Sequence, residues 1–408
     1  MKSSKGTGKH DLERVIYMDN NATTMVAPEV LEAMLPFIGG TYGNPSSMHT
    51  FGGAVARDVE KARTRVAEFL GADHEYEIVF TATGTESDNM AILGTLAYYR
   101  DRRHIITSRV EHPAVLSLCK KLEKDGYRVT FVPVDGAGNL DIEILKSSVD
   151  DETAIVSIMY ANNETGVIFP VDEIGRFLRE RGVPFHVDAV QAAGKIPIDV
   201  NRIQCDLLSI SGHKFHAPKG IGALYVRRGT RIRPLLFGGH QEKGRRPGTE
   251  NVPGIVALGR AAELAGAHLG VYDGRVRALR DRLENGILGL FNNSHVNGER
   301  TKRVPNTSNV GFEYIEGEAI LLYLDENGIA ASSGSACSSG SLEPSHVLRA
   351  MGVPFTSAHG SIRFSLSRFN TDQDVDHVLS VLPGVVNRLL DISPYWDSEK
   401  GEPKPVNL

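Results

Sequence analysis

The sequence predicts an α/β protein built on a mostly parallel sheet, and three observations predict it. From Glu77 onward, short apolar segments alternate with helical ones, the strand–loop–helix rhythm of parallel strands joined by right-handed crossovers. The polar residues that stand out, His112, Asn163, Asp188 and Lys214, each follow or close an apolar segment. In an open parallel sheet that is the edge where ligands bind. Finally, 408 residues exceed what one hydrophobic core usually supports, so a second domain is expected.

The bulk composition excludes several classes. A hydrophobic fraction of 41% and a charged fraction of 23% are those of an ordinary globular chain. A net charge of −5 gives no electrostatic footprint for nucleic acid. No stretch approaches the ~20 apolar residues of a membrane span. The opening MKSSKGTGKH has no apolar run behind it, so no signal peptide and a cytoplasmic location are expected. Three widely spaced cysteines fit a reducing compartment and not a disulfide framework.

Taken in order, Tyr17–Thr24 is an extended entry into an Asp-Asn-Asn turn, and Gly43–His49 is a turn-rich loop. Val55, Val59, Ala62, Val66 and Phe69 recur at helical spacing over 54–70, with Gly71 as C-cap. Ile78-Val79-Phe80 reads as a strand running into Thr81–Asp88, with a helix expected from Asn89 to Tyr99. Small residues and hydroxyls before a helix make an anion site as readily as a plain cap. The segment fits neither the P-loop nor the dinucleotide fingerprint. His104–Thr107 delivers Glu111-His112-Pro113, with Pro113 suited to the first turn of a helix over 114–124. His112 is thereby a candidate for ring stacking or proton transfer, and Cys119, among Val115, Leu116 and Leu118, a core thiol. Residues 127–134 and 153–160 are β-branched strands, the second ending in Asn162-Asn163-Glu164. After a helix over 172–181, Asp188 closes an apolar strand, where a carboxylate needs a cation or donors to stay ionised.

The segment Ser209–Gly220 organises the rest. A lysine at the end of a buried strand is costly unless paired or used, and one use is a Schiff base with a carbonyl cofactor. An anion site, a ring partner at His112, an acid at Asp188 and an amine at Lys214 fall on one edge of one sheet. Pyridoxal 5'-phosphate requires those four parts.

Downstream, residues 237–251 form a basic, glycine-rich loop not expected to pack a core. Helices over 256–267 and 273–290 lead to strands over 307–312 and 361–366. Arg363 in the latter is either an exposed arginine or a carboxylate clamp. Ala330–Ser341 is a serine-glycine stretch with one thiol, Cys337, expected to be mobile and to present a nucleophile. A zinc site from Cys205, His213 and His216 has plausible ligand types but generic spacing.

Ten blocks carry a family resemblance: YMDNNATT, GNPSSMH, TGTESDNMAI, VEHPAV, ANNETG, HVDAVQ, SGHKFHAPKG, RRPGTEN, SSGSACSSGS and HGSIRFSLSR. Running from Tyr17 to Arg368, they resemble the NifS-type cysteine desulfurases, pyridoxal-phosphate enzymes of the class V aminotransferase group. The SSGSAC block is typical of the NifS/IscS branch, and YIEGEAILLYL and SPYW lean toward its nitrogen-fixation member. The resemblance implies transferase fold type I: a seven-stranded, mostly parallel large domain over 24–271, and a smaller α+β domain from 1–23 and 272–408. It implies that Lys214 holds the cofactor, Asp188 pairs with its ring nitrogen, His112 stacks on the ring, and Asn163 and Gln191 contact the ring and its phenolic oxygen. Gly84, Thr85, Ser211 and His213 would bind phosphate, with Thr249 reaching in from the second subunit of a homodimer. Asn21 and Arg363 would hold the substrate carboxylate. Cys337 would take sulfur from L-cysteine as a persulfide, pass it to an iron–sulfur scaffold protein, and could transiently share iron there. Two rivals compete: an aminotransferase or lyase of the same fold, which would not need Cys337, and a catalytically silent sulfur-relay scaffold, which would not need Lys214, Asp188 and His112.

Overall fold

A computed structural model describes residues 15–333, 344–397 and 399–404. Apart from a small hairpin of Trp396–Asp397 with Glu402–Pro403, the strands along the chain are β1 (Ile16–Tyr17), β2 (Ile78–Thr81), β3 (His104–Ser108), β4 (Arg128–Val132), β5 (Thr153–Met159), β6 (Phe185–Asp188), β7 (Leu207–Ser211), β8 (Gly222–Val226), β9 (Ser294–Val296), β10 (Thr307–Phe312), β11 (Ile329–Ala330) and β12 (Ser361–Ser365). Seven of them form the large sheet in the order β2-β8-β7-β6-β5-β3-β4. Only β8 runs against the direction of the other six strands, so the sheet is mostly parallel as the alternation predicts. Strands β5, β6 and β7 are buried at every position, which is why they read as continuous apolar runs.

Helices cover the sheet. On one side Gly84–Tyr98 and Pro113–Lys124 close a core with Val79, Ile105, Ile155 and Leu224. The other side includes Thr50–Leu70 against Val252–Ala267. These two helices approach so closely that a Cβ at Gly259 would lie 2.6 Å from the Ala62 Cα, and glycine is required there. A separate core joins Met18 to side chains between Tyr272 and Leu390. It packs the antiparallel sheet β12-β10-β9 against helices Arg277–Leu290 and Asp372–Ile392, while β1 pairs in parallel with β11.

Three expectations need correction. The helix expected from Asn89 begins at Gly84, because Thr83 caps it: its Oγ1 accepts the Glu86 N–H at 3.0 Å. The helix expected from 54 begins at Thr50, where the His49 ring accepts the Gly52 N–H at 3.0 Å. The loop 237–251 does carry a packed anchor. Glu242 is buried and receives both Arg63 guanidinium nitrogens at 2.8 Å and the Phe80 N–H at 3.1 Å.

Candidate active site

Strand ends bring the expected residues to one edge. His112 caps the helix after β3, Asn163 follows β5, Asp188 ends β6, and Lys214 closes the short turn Gly212–Lys214 after β7. Lys214 Nζ donates to the carbonyls of Asn21 at 2.6 Å and Ala22 at 2.9 Å. The N-terminal segment thus forms one wall of the site. His213 and His216 diverge on either side of Lys214: His213 Nδ1 meets Thr23 Oγ1 at 3.2 Å, and His216 Nδ1 donates to the Met25 carbonyl at 3.0 Å. Among the described residues no group of three or more His, Cys, Asp or Glu is placed to hold a metal.

Burial sets the protonation states. His112 is pushed down to about 4, by burial first and then by the Lys214 charge. Its Nδ1 accepts the Ala114 N–H at 3.1 Å, so a neutral ring carries its proton on Nε2. Asp188 is buried, accepts the Val190 N–H at 2.9 Å, and is raised to about 6 because burial outweighs that bond and the Lys214 charge. A cation against it would keep it ionised. Behind it lie two more buried acids, Asp88 and Glu111. Burial drives Asp88 well above the usual carboxylate range and Glu111 to about 8.

Gly84 opens the 15-residue helix Gly84–Tyr98 directly against β7: a Cβ there would meet Val190 Cγ2 at 2.9 Å and Ser211 Cβ at 3.2 Å. Free N–H groups of a helix start, with Thr85 in the first turn, therefore adjoin Ser211, the geometry that favours phosphate. Asn163 Oδ1 is buried without a hydrogen-bond partner among the described residues. A capped helix start beside a hydroxyl, an orphaned amide oxygen, a buried carboxylate wanting a cation and a strand-end lysine together fit pyridoxal phosphate.

Arg363 on β12 is buried, not exposed. Its Nη1 donates to the Asn163 carbonyl at 2.9 Å and its Nη2 to Asp19 Oδ1 at 2.7 Å, while Nε has no partner among the described residues. Asp19 was not singled out from the sequence, since its partner lies 344 residues away. The Asn21 amide is fully engaged within the protein: Nδ2 donates to Thr307 Oγ1 at 2.8 Å and the Asn163 carbonyl at 3.2 Å, and Oδ1 accepts from Lys195 and Asn306, each at 3.1 Å. Thr249 stands apart. It is exposed on the loop before helix Val252–Ala267.

Cys337 lies outside the described residues, but both flanks of its segment are held at the site. Ser332 exchanges backbone hydrogen bonds with Arg363, at 2.6 and 3.3 Å. On the far side Ser345 Oγ donates to Glu164 and His346 Nε2 to the Glu111 carbonyl at 2.9 Å, next to His112. The two other cysteines are unfit as nucleophiles. Both are buried; burial pushes the Cys119 thiol up to about 12 and the Cys205 thiol higher still.

The fold and this constellation define a pyridoxal-phosphate enzyme, and comparison agrees: residues 16–378 match the aminotransferase class-V family, to which the chain belongs. A cysteine desulfurase of Trichormus azollae is 60% identical over 387 residues, covering 95% of this chain and 96% of that one. The cysteine desulfurase NifS of Azotobacter vinelandii is 55% identical over 381 residues, covering 93% and 95% respectively. A solved NifS-like protein superposes with a TM-score of 0.86 at 41% identity, covering 93% of this chain and all of that one. Within its family the chain is thus a pyridoxal-phosphate-dependent cysteine desulfurase of the NifS type. No helix among the described residues is long and apolar enough to cross a membrane.

Proposed function

We propose that the chain converts L-cysteine to L-alanine with Cys337 as sulfur acceptor, and passes the persulfide to an iron–sulfur scaffold protein, in a cytoplasmic pathway serving nitrogenase maturation. The observation that carries the reading is the tethering of the Cys337 segment to the site at both flanks. Cys337 is five residues beyond Ser332, so an extended chain places it at most about 17 Å from a residue paired with Arg363.

Bound at this site, pyridoxal phosphate supplies an electron sink that eases loss of the substrate α-proton and weakens the C–S bond. The protein's own groups do the rest. Lys214 would anchor the cofactor through its amine and, when free, would be the group placed to move a proton. Asp188 would keep the ring nitrogen protonated, the neutral His112 ring would stack on the cofactor, and Asn163 and Gln191 would contact its ring and phenolic oxygen. Gly84, Thr85, Ser211 and His213 hold the phosphate. Arg363 takes the substrate carboxylate, its Nε, without a partner among the described residues, being a donor still to be used; Asn21 acts through its backbone carbonyl and its contacts to Gln191 and Lys195. The Cys337 thiolate attacks the substrate sulfur: an S–S bond forms, the Cβ–S bond breaks with its electron pair left on carbon, and protonation there gives alanine.

A homodimer completes the reading. Leu35, Ile38, Tyr42, Met48 and Phe237 are large apolar side chains left exposed on the single chain, and Thr249 on its exposed loop would serve the partner's phosphate site.

The test is anaerobic incubation with L-cysteine and no reductant, followed by peptide mass spectrometry. One added sulfur on the Cys337 peptide with alanine released, both lost in Lys214→Ala, is the expected result. Alanine without sulfur on Cys337 would mean a lyase that expels sulfide and would overturn the role of Cys337.

A further inference from the structure

Lys195 is a second lysine at this site. It is 3% exposed. Among the described residues it has no carboxylate partner; its hydrogen bonds go to Asn21 Oδ1 at 3.1 Å and to Gln191 Oε1. Burying an amine without a counter-charge is unfavourable. Burial, with the charges of Lys214 and Arg363, lowers its pKa well below that of a free lysine.

Both partners are amide oxygens, so the amine donates in each bond. An amide whose oxygen is held must turn its NH2 the other way. Gln191 Nε2 donates to the Asn21 carbonyl at 2.9 Å, the same oxygen that receives Lys214 Nζ at 2.6 Å. The two amides differ in how firmly they are fixed. The Asn21 oxygen also accepts from Asn306, whereas among the described residues the Gln191 oxygen is held by Lys195 alone. Without that amine, the orientation of the Gln191 amide rests on its Nε2 bond to the Asn21 carbonyl, an oxygen that Lys214 Nζ also occupies.

We propose that Lys195 is a positioning residue: it fixes the Gln191 amide with its NH2 on the Lys214 side, so that the site presents a donor there and not an acceptor. The proposal rests on the cofactor reading above, in which Gln191 meets the phenolic oxygen. A donor at that oxygen stabilises its anionic form and loosens its hold on the proton of the nitrogen that links Lys214 to the cofactor. That proton then leaves at lower pH. An acceptor at the same place holds the proton to higher pH.

The experiment is a pH titration of the visible absorbance of the holoenzyme, for the wild type, Lys195→Met, Gln191→Met and the double variant. Lys195→Met should raise the midpoint by about one pH unit, the size of one hydrogen bond to a charged group. Gln191→Met should raise it similarly, and the double variant no further, because Lys195 acts through Gln191. In Lys195→Ala, added ethylamine should return the midpoint toward the wild-type value. A wild-type midpoint in Lys195→Met, or additive shifts in the double variant, would overturn the proposal. So would failure of Lys195→Met to fold, since an apolar side chain of similar length in place of an unpaired buried amine should be tolerated unless Lys195 is structural. A wild-type protein with no visible band overturns the cofactor reading itself, whatever Lys195 does.

Discussion

The site has two halves that are built in different ways. The cofactor half stands on the large sheet: Gly84, His112, Asp188 and Lys214 each end a strand or lie in the turn or helix start that follows one, in order along the chain. The sulfur half is assembled from remote pieces. Arg363 on β12 is set by Asp19 from the N-terminal segment and by the Asn163 carbonyl, and Ser332, at the base of the Cys337 segment, pairs with it. The difference separates chemistry from outcome. A parallel sheet can offer a lysine, an acid and an anion site to many amino-acid reactions, whereas in the proposed function it is a thiol on the segment after Ser332 that would select sulfur transfer.

The sharpest way to break the comparison is to remove one member from each half. Lys214→Ala should lower alanine release by about 10⁴-fold or more, since anchoring and proton transfer are lost together. Cys337→Ser should still change the visible spectrum on adding L-cysteine, because the cofactor half is intact, while alanine release falls by about 100-fold or more. If Cys337→Ser abolished the spectral change too, the halves would not be separable. Arg363→Lys is milder. It keeps a charge but not the fork that reaches both Asp19 and Asn163, so KM for L-cysteine should rise by about 10- to 100-fold with a smaller change in kcat. A larger effect on kcat than on KM would assign Arg363 to the chemical step instead of to substrate binding.

The same division decides what could be read from the chain. A residue that follows a strand is placed by its own strand, so Lys214, Asp188 and His112 were legible from local pattern, and the mostly parallel sheet from the alternation that carries them. The helix start at Gly84 was read five residues late, because Thr83-Gly84-Thr85 looks like loop until the Thr83 cap is seen closing it. The sulfur half was legible only where a residue type announced itself, as with Arg363 and Cys337. Asp19 and Lys195 gave no signal: one is a carboxylate in a turn whose partner lies 344 residues away, the other a lysine after a glycine that bonds Gln191 four residues back and Asn21 174 residues away. Glu242 was hidden likewise, its partner Arg63 being 179 residues distant.

The smallest expected effect concerns the acids behind the cofactor half, and it reads stability, not turnover. Glu111 is buried, with Oε1 accepting from Ser108 Oγ at 2.6 Å and the Met159 N–H at 3.0 Å, while Oε2 has no partner among the described residues. Its carboxyl is raised from 4.5 to about 8, mainly by burial. A folded-state value above the unfolded one means the native protein keeps a proton that the unfolded chain has released. The contribution to stability is therefore complete below about pH 4.5 and is lost as pH rises toward 8, a change on the order of a few kcal/mol. Glu111→Gln removes that titration. Urea midpoints compared at acidic, neutral and mildly alkaline pH should show the variant gaining on the wild type as pH rises through this window, after any constant offset from the changed hydrogen bonding. A difference that stays flat with pH would mean that Glu111 is ionised in the folded protein, and that Asp188 shares its pocket with a second charge. The cofactor half would then need a cation at its ring nitrogen more strongly than the geometry alone requires.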